Sequence, residues 1–163
     1  MKSWNILIAG VGGQGTLLTS KILGTLAQQA GYDVKVSEVH GMAQRGGSVL
    51  TYVKMADKVY SPIIEQGQAD ILLAFEQLEA LRYAPFVKPG GYILLNTQKI
   101  LPMPVITGKA SYPEDIIGQL KKYNVSVIAG DALQKALNAG NAKAVNTVML
   151  GMLREHVRGL LAE

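Results

Sequence analysis

The sequence predicts a single α/β domain with a mostly parallel sheet and helices on both faces of that sheet. Short apolar segments, such as residues 5–9 and 70–75, alternate with stretches of helical period, such as residues 16–30. That alternation is typical of helices packed over a parallel sheet. A glycine-rich turn at residues 10–15 joins the first apolar segment to the first helix. We therefore expect one Rossmann-like domain over residues 1–163.

The predicted strands are short runs rich in apolar and β-branched residues. They cover residues 5–9, 33–37, 48–55, 70–75, 92–95 and 125–129, with a further short strand at 58–60. Residues 102–107 are predicted to be irregular or an edge strand, because their two prolines cannot donate to a central ladder.

The predicted helices follow from apolar residues at helical spacing, a glycine near the end of three of them, and a proline in the first turn of the one at residues 113–123. They cover residues 16–30, 76–87, 113–123 and 131–139, with Pro89-Gly90-Gly91 closing the second. Asn141 is a predicted cap for a last helix. The apolar face of that helix carries Val145, Met149, Met152, Val157 and Leu160.

Composition excludes several classes of function. The chain has no cysteine, which rules out disulfides, thiolate metal sites, iron–sulfur ligation and a cysteine nucleophile within it. Its net charge of +4 comes from scattered lysines and arginines, so nucleic-acid binding is not expected. No apolar run approaches the roughly 20 residues that span a bilayer, and no signal-peptide core precedes the first strand. We expect a cytoplasmic chain without membrane contact.

The glycine turn fits the G-x-G-x-x-G pattern of a phosphate-binding loop. Gly10, Gly12 and Gly15 follow a predicted strand and open a helix, where free amides and the helix dipole favour an anion. Glu38 ends the second predicted strand, at the place where dinucleotide enzymes bind a ribose hydroxyl. The alternative is that the glycines only pack strand against helix. Gln14, beside Gly13, is expected to hold either a neighbouring loop or a ligand.

A second motif, residues 37–48, combines an acid, an imidazole, an amide, a guanidinium and glycines. Arg45 is suited to a carboxylate or phosphate, and Gly46-Gly47 allow close backbone approach. His40 is a candidate donor or proton shuttle, although a structural hydrogen bond is the simpler interpretation. Arg45 has the alternative of an ion pair with Glu38 or across an interface. No second histidine stands at metal-ligand spacing from His40, so no metal site is expected. The sequence also contains neither a G-x-S-x-G elbow nor a G-x-x-x-x-G-K-S/T phosphate loop, and no catalytic residue is expected in this chain alone.

These motifs resemble the gamma-type subunits of 2-oxoacid:ferredoxin oxidoreductases. The resemblance rests on the segments 10–15 and 45–47, supported by 70–76, 89–91 and 146–151. Residues 39–47 are most similar to those of the beta subunits of the indolepyruvate branch. The resemblance implies that the glycine turn and the second motif face a ligand or a partner: Gly10, Gly12, Gly13, Gln14, Gly15, Glu38, His40, Gln44, Arg45, Gly46 and Gly47.

The resemblance also implies the reaction and the partners. A 2-oxoacid, such as indolepyruvate or another aryl pyruvate, reacts with coenzyme A and oxidised ferredoxin to give an acyl-CoA, carbon dioxide and reduced ferredoxin. Thiamine diphosphate, magnesium and [4Fe–4S] clusters would belong to a larger partner subunit, and this chain would bind no cofactor alone. Its own residues agree, because Gly130-Asp131-Ala132 interrupts a Gly-Asp-Gly magnesium–thiamine motif. Isolated, the chain would expose an apolar docking face and could form a homodimer.

Two other interpretations stay open from the residues. A free-standing NAD- or nucleotide-binding protein is supported by the glycine turn together with Glu38. A purely structural interaction module would keep the partner but leave both loops without a ligand.

Overall fold

A computed structural model describes residues 1–42 and 46–156 as one layered α/β unit. The strands are β1 (Trp4–Val11), β2 (Asp33–His40), β3 (Ser48–Ala56), β4 (Ala69–Ala74), β5 (Val87–Asn96) and β6 (Ser126–Gly130). The helices are α1 (Thr16–Gln29), α2 (Gln77–Tyr83), α3 (Met103–Ile106), α4 (Ile116–Leu120), α5 (Ala132–Asn138) and α6 (Val145–His156). Turns of 3₁₀ helix at Ala84–Phe86 and Ala142–Ala144 follow α2 and precede α6.

The six strands form one sheet in the order β2-β3-β1-β4-β5-β6. Strands β1, β4, β5 and β6 pair in parallel, whereas β3 is antiparallel to both of its neighbours, β1 and β2. Strand β2 therefore runs in the same direction as β1 but is separated from it by β3. The mostly parallel sheet is confirmed, and the expected unit of β1, α1 and β2 has β3 inserted between its two strands.

Two apolar cores lie on opposite faces of the sheet, which confirms helices on both faces. On one face, α1, α5 and α6 cover Ile6, Ile8 and Leu73. On the other, α2 and α4 cover Leu7 and Leu72. The alternation of successive side chains along a strand sends consecutive residues of β1 and β4 to different cores. Because both faces are buried, the central strands read as continuous apolar runs.

Two predicted elements are wrong, each for a local reason. Residues 58–60 form no strand, because the Val59 amide donates to the Asp33 carboxylate over 2.8 Å instead of to a ladder. Residues 102–107 contain the helical turn α3. Its proline lies in the first turn, where a helix has no use for the missing amide hydrogen.

Other predicted boundaries shift where proline or a capping side chain intervenes. Helix α2 ends at Tyr83, before Pro85, and β5 begins at Val87 and runs through the predicted stop at residues 89–91. Helix α4 begins later than predicted, because Asp115 caps it by accepting from the Gly118 amide over 3.1 Å. Asn141 caps the 3₁₀ turn that leads into α6. Val157 and Leu160, predicted on the last helical face, lie outside the described residues.

Within residues 1–42 and 46–156, no helix has both the length and the apolar composition needed to cross a bilayer.

The buried amide of Asn96 joins three elements at the carboxyl ends of the parallel strands. Asn96 ends β5 with its side chain fully buried. Its Nδ2 donates to the Phe75 carbonyl, just after β4, over 2.9 Å, and its Oδ1 accepts from the Ala132 amide, at the start of α5, over 3.1 Å. One side chain thus satisfies two backbone groups that are buried away from water.

We expect Asn96→Ala to lower the free energy of unfolding by roughly 1–3 kcal/mol, because it leaves the buried Ala132 amide without a partner and removes one of the two donors to the Phe75 carbonyl. Urea unfolding of the full chain measures the effect. The matched control is Asn124→Ala, since Asn124 is exposed. Equal stability of the two variants would contradict a structural role for Asn96.

Candidate functional site

The glycine turn between β1 and α1 needs its glycines for two different reasons. Gly13 and Gly15 have φ angles of 100° and 83°, a left-handed conformation that side chains disfavour. Gly10 instead leaves no room, because a Cβ there would lie 2.8 Å from Thr16 Cγ2 and 3.1 Å from Phe75 Cβ. The turn therefore combines a fixed backbone shape with close packing of β1 on α1.

Gln14 holds the turn from within. Its Oε1 accepts from the Val11 amide over 2.8 Å, and its Nε2 donates to the Phe75 carbonyl over 3.0 Å. Of the two expectations for this amide, the described contacts are those of a residue that holds a neighbouring segment. Gln14 thus fixes the position of the turn relative to the end of β4.

The second motif meets the glycine turn directly. The Gly12 amide donates to the Gly47 carbonyl over 2.9 Å, and the Gly46 amide donates to the Gly12 carbonyl over 3.4 Å. Gly46 has a φ of 76°, which again favours glycine. Gln44 and Arg45 lie outside the described residues, and Arg45 directly precedes this glycine pair in sequence. The Gly46-Gly47 pair of the second motif thus lies against the glycine turn at the carboxyl end of β1.

An open cleft of about 470 Å³ lies between the turn and β2. Glu38 and His40 line it together with Gly12, Gly13 and Thr16. The His40 Nδ1 atom lies 3.4 Å from Glu38 Oε1, and the buried Thr51 hydroxyl donates to Glu38 Oε2 over 3.4 Å. Because β3 separates β2 from β1, Glu38 lies one strand further from the turn than the ribose-binding acid of a dinucleotide fold.

A second groove, of about 400 Å³, lies on the other side of the same turn. Gly13 and Gly15 line it, as they line the first cleft, together with Gln98, Lys143 and Asn146. Sequence reasoning did not identify these three polar residues as site residues. The only signal was the segment 146–151, which contributed to the resemblance without indicating where Asn146 lies.

No cluster of three or more histidine, aspartate or glutamate residues suited to a metal occurs in the described ranges 1–42 and 46–156. The described site therefore offers backbone amides, carboxamides, one carboxylate–imidazole pair and a lysine. Such groups can bind and orient a ligand.

Comparison with known proteins shows the family to which this chain belongs. The family model described as pyruvate ferredoxin/flavodoxin oxidoreductase matches residues 5–162. The chain belongs to this family.

Its relatives include curated and solved proteins. It is 48% identical over 91% of its length to the indolepyruvate oxidoreductase subunit IorB of Archaeoglobus fulgidus, covering 75% of that protein. It is 44% identical over 95% of its length to the same subunit of Pyrococcus horikoshii, covering 78%. The crystal structure of a keto/oxoacid ferredoxin oxidoreductase gamma subunit from Geobacter sulfurreducens superposes with a TM-score of 0.68 at 25% identity, covering 98% of this chain and 79% of that one.

This member of the oxidoreductase family also contains a buried acidic pair that sequence reasoning missed. Glu76 caps α2 by accepting from the Glu79 amide over 3.0 Å, and it accepts from the Tyr112 hydroxyl over 2.5 Å. Glu79 accepts from the Ser48 hydroxyl over 2.5 Å and lies 3.4 Å from Arg82 Nε. Ser48 follows Gly47, so Glu79 anchors the segment that reaches the glycine turn.

Burial is the largest influence on the pKa values of Glu79 and of Tyr112, the partner of Glu76. It raises the pKa of Glu79, an effect that the Ser48 hydroxyl and the Arg82 guanidinium oppose and that the nearby Glu76 reinforces. Burial and the hydrogen bond to Glu76 likewise raise the pKa of Tyr112 well above its usual value. Helical periodicity alone did not reveal these residues, since acids on a short helix usually face solvent.

We expect Glu79→Gln to stabilise the fold at neutral pH. A carboxyl whose pKa is raised by folding holds its proton more tightly in the folded state, so its ionisation lowers stability as the pH rises through that pKa. Glutamine can still accept from Ser48, and it carries no charge to desolvate. Urea unfolding at about pH 8 should show a more stable variant, and the difference should vanish near pH 4, where the unfolded carboxyl also becomes protonated.

The matched control is Glu114→Gln, because Glu114 is exposed. It should show no comparable pH-dependent gain. A Glu79→Gln variant whose stability falls relative to the natural protein as the pH rises from about 4 to about 8 would show that the ionised carboxylate is a net stabiliser.

Proposed function

We propose that this chain is a subunit of an indolepyruvate:ferredoxin oxidoreductase. The complex would carry out the coenzyme A-dependent oxidative decarboxylation of indolepyruvate, or of another aryl pyruvate, with ferredoxin as electron acceptor. The observation that carries the proposal is similarity over nearly the whole chain to the indolepyruvate oxidoreductase subunits described above. The backbone contact between the glycine turn and the Gly46-Gly47 pair supports it, because this contact brings parts of both motifs together.

In this proposal, a larger partner subunit holds the cofactors that carry out the reaction. Thiamine diphosphate with magnesium would supply carbanion stabilisation, and [4Fe–4S] clusters would carry the electrons. The residues of this chain do not fit these groups: it contains no cysteine, and Ala132 replaces the second glycine of a Gly-Asp-Gly motif. We therefore derive no chemical step on this chain and assign it the binding and orientation of ligand and partner.

We place the ligand- or partner-facing surface at the glycine turn and the second motif. Arg45 would offer a guanidinium to a coenzyme A phosphate or to the substrate carboxylate, and His40 and Gln44 would position that ligand or a partner loop. Gln14 would act by holding the turn, since its amide is bonded to the backbone. Leu17 and Leu18, 44% and 52% exposed beside the turn, would be covered by the partner, or by a second copy when the chain is isolated.

The alternative of a free-standing NAD-binding protein has weaker support. Its main argument was Glu38, whose carboxylate already interacts with the Thr51 hydroxyl and the His40 ring and lies on a strand that does not neighbour β1. If that alternative held, the isolated chain would bind NAD(H), and Glu38→Ala would weaken the binding.

Anaerobic affinity purification of the chain from its native cells should recover a stoichiometric larger subunit. Mass spectrometry identifies that partner, and iron, sulfide and thiamine analysis tests its cofactors. The purified complex should reduce ferredoxin with indolepyruvate and coenzyme A faster than with pyruvate or 2-oxoglutarate. A colourless chain recovered alone, and binding NAD(H), would instead favour the nucleotide-binding alternative.

In the complex, Arg45→Ala should raise the Michaelis constant for coenzyme A or for the 2-oxoacid by about ten- to a hundredfold, the usual loss for one charge-assisted hydrogen bond. Arg154→Ala is the matched control, because Arg154 is an exposed arginine on α6. An intact Arg45→Ala complex with both Michaelis constants unchanged would refute the ligand role of Arg45.

A further inference from the structure

We infer that the second groove, between the glycine turn and the start of α6, is an oxyanion site that binds a phosphate or carboxylate group. This inference goes beyond the proposed function and does not require it, because it concerns binding by the chain itself. It rests on three observations: a helix N-terminus without a capping side chain, a mostly buried asparagine whose Nδ2 has no acceptor among the described residues, and the charge of the lining residues.

The first observation is the start of α1. Its N-cap is Gly15, which has no side chain to accept from the first turn of this 14-residue helix, and no acidic residue occurs in that turn. Among the described hydrogen bonds, none is donated by the amides of Thr16, Leu17 or Leu18. These amides and the positive end of the helix dipole favour a bound anion.

The second observation is Asn146, the second residue of α6. Its side chain is only 8% exposed and lines the groove. Its Oδ1 accepts from the Thr147 amide over 2.9 Å, which fixes the orientation of the carboxamide. Its Nδ2 therefore faces the turn, 3.6 Å from where a Cβ on Gly15 would lie, and it donates to no acceptor in the part of the chain that the structure describes.

Such a donor, at the wall of a groove and without an acceptor within residues 1–42 and 46–156, is available to a ligand or to water. Gly15 and Leu18, at the start of α1, line the same groove as the Asn146 carboxamide, so an oxygen atom placed there would lie beside both the helix start and Nδ2. A phosphate or carboxylate supplies such oxygens together with the negative charge that the helix dipole favours.

The third observation is charge. Lys143 and Gln98 complete the polar lining, and no residue in the described lining of this groove carries a carboxylate. The first cleft, on the other side of the same helix start, contains the Glu38 carboxylate. Among the lining residues, the Lys143 side of the α1 start thus offers a cation without a neighbouring carboxylate, which the Glu38 side does not. The rest of the second groove is apolar, with Leu18, Leu133 and Val145, and suits a ligand whose anionic group is carried on an apolar body.

The test is a titration of the full ¹⁵N-labelled chain, followed by NMR. Inorganic phosphate and acetate are the two probes, and chloride at equal ionic strength is the reference. Saturable shifts should appear in the Asn146 side-chain NH₂ pair and in the amides of Thr16 to Leu18. The probe that binds more tightly distinguishes a phosphate site from a carboxylate site.

Asn146→Asp is the decisive variant. Aspartate keeps the oxygen that accepts from Thr147 and replaces only the donor with a second, negatively charged acceptor. An acid near the start of a helix does not weaken that helix, so the variant should remain folded while its affinity for the anion falls at least about tenfold. Asn138→Asp is the matched control, since Asn138 is exposed near the end of α5 and introduces the same charge.

Lys143→Gln provides a second variant at an exposed position, with Lys109→Gln as its control. It should weaken binding without affecting the fold. The inference is overturned if neither probe gives saturable shifts beyond those of chloride, if the shifts centre on His40 and the first cleft, or if Asn146→Asp and Lys143→Gln both bind like their controls.

Discussion

The carbonyl of Phe75 joins the segments that meet at the carboxyl edge of the sheet, where both grooves lie. It accepts from Gln14 in the glycine turn and from Asn96 at the end of β5, while the Phe75 amide donates to Ala9 in β1. Through Asn96 the same network reaches the first amide of α5. Strand ends at this edge have no ladder partners beyond them, so side chains must satisfy their polar groups. The resulting network keeps the turn, β4, β5 and α5 in a fixed arrangement around both grooves.

Strand β3 determines which segments share that edge. Because it runs antiparallel between β1 and β2, its first residues arrive beside the carboxyl end of β1. Gly46 and Gly47 can therefore pair with Gly12, which a helical crossover to the strand beside β1 would prevent. The same insertion moves Glu38 one strand away from the turn. A G-x-G-x-x-G sequence in correct strand–helix context thus occurs here without the strand order that gives the dinucleotide fold its ribose-binding acid.

The sequence predicted an element correctly wherever its local pattern was compatible with only one kind of secondary structure. The apolar runs of β1 and β4 could only be buried strands, and the period of α1 together with Gly31 fixed that helix almost to the residue. The pairing of β3 with β1 is a long-range choice that no local pattern encodes. Asn96, Glu79 and Asn146 were not predicted as site or network residues for a related reason. A polar residue in an apolar run or on a helix has no visible partner until the fold brings one from 20 or more positions away, as with the pairs Asn96–Phe75 and Glu79–Ser48.

The start of α1 lies between two grooves of different chemistry, and this arrangement explains what such a domain can contribute to an oxidoreductase complex. On one side stand a carboxylate and an imidazole, Glu38 and His40, and on the other stand Lys143 and Asn146. In the function proposed above, the residues at this edge bind and orient a ligand or a partner. Orientation by backbone amides requires that the backbone does not move. The buried bonds from Gln14, Asn96 and Glu79 supply that rigidity, because each fixes a segment that borders the turn. The polar groups buried behind the site are therefore as much a part of its function as those that line it.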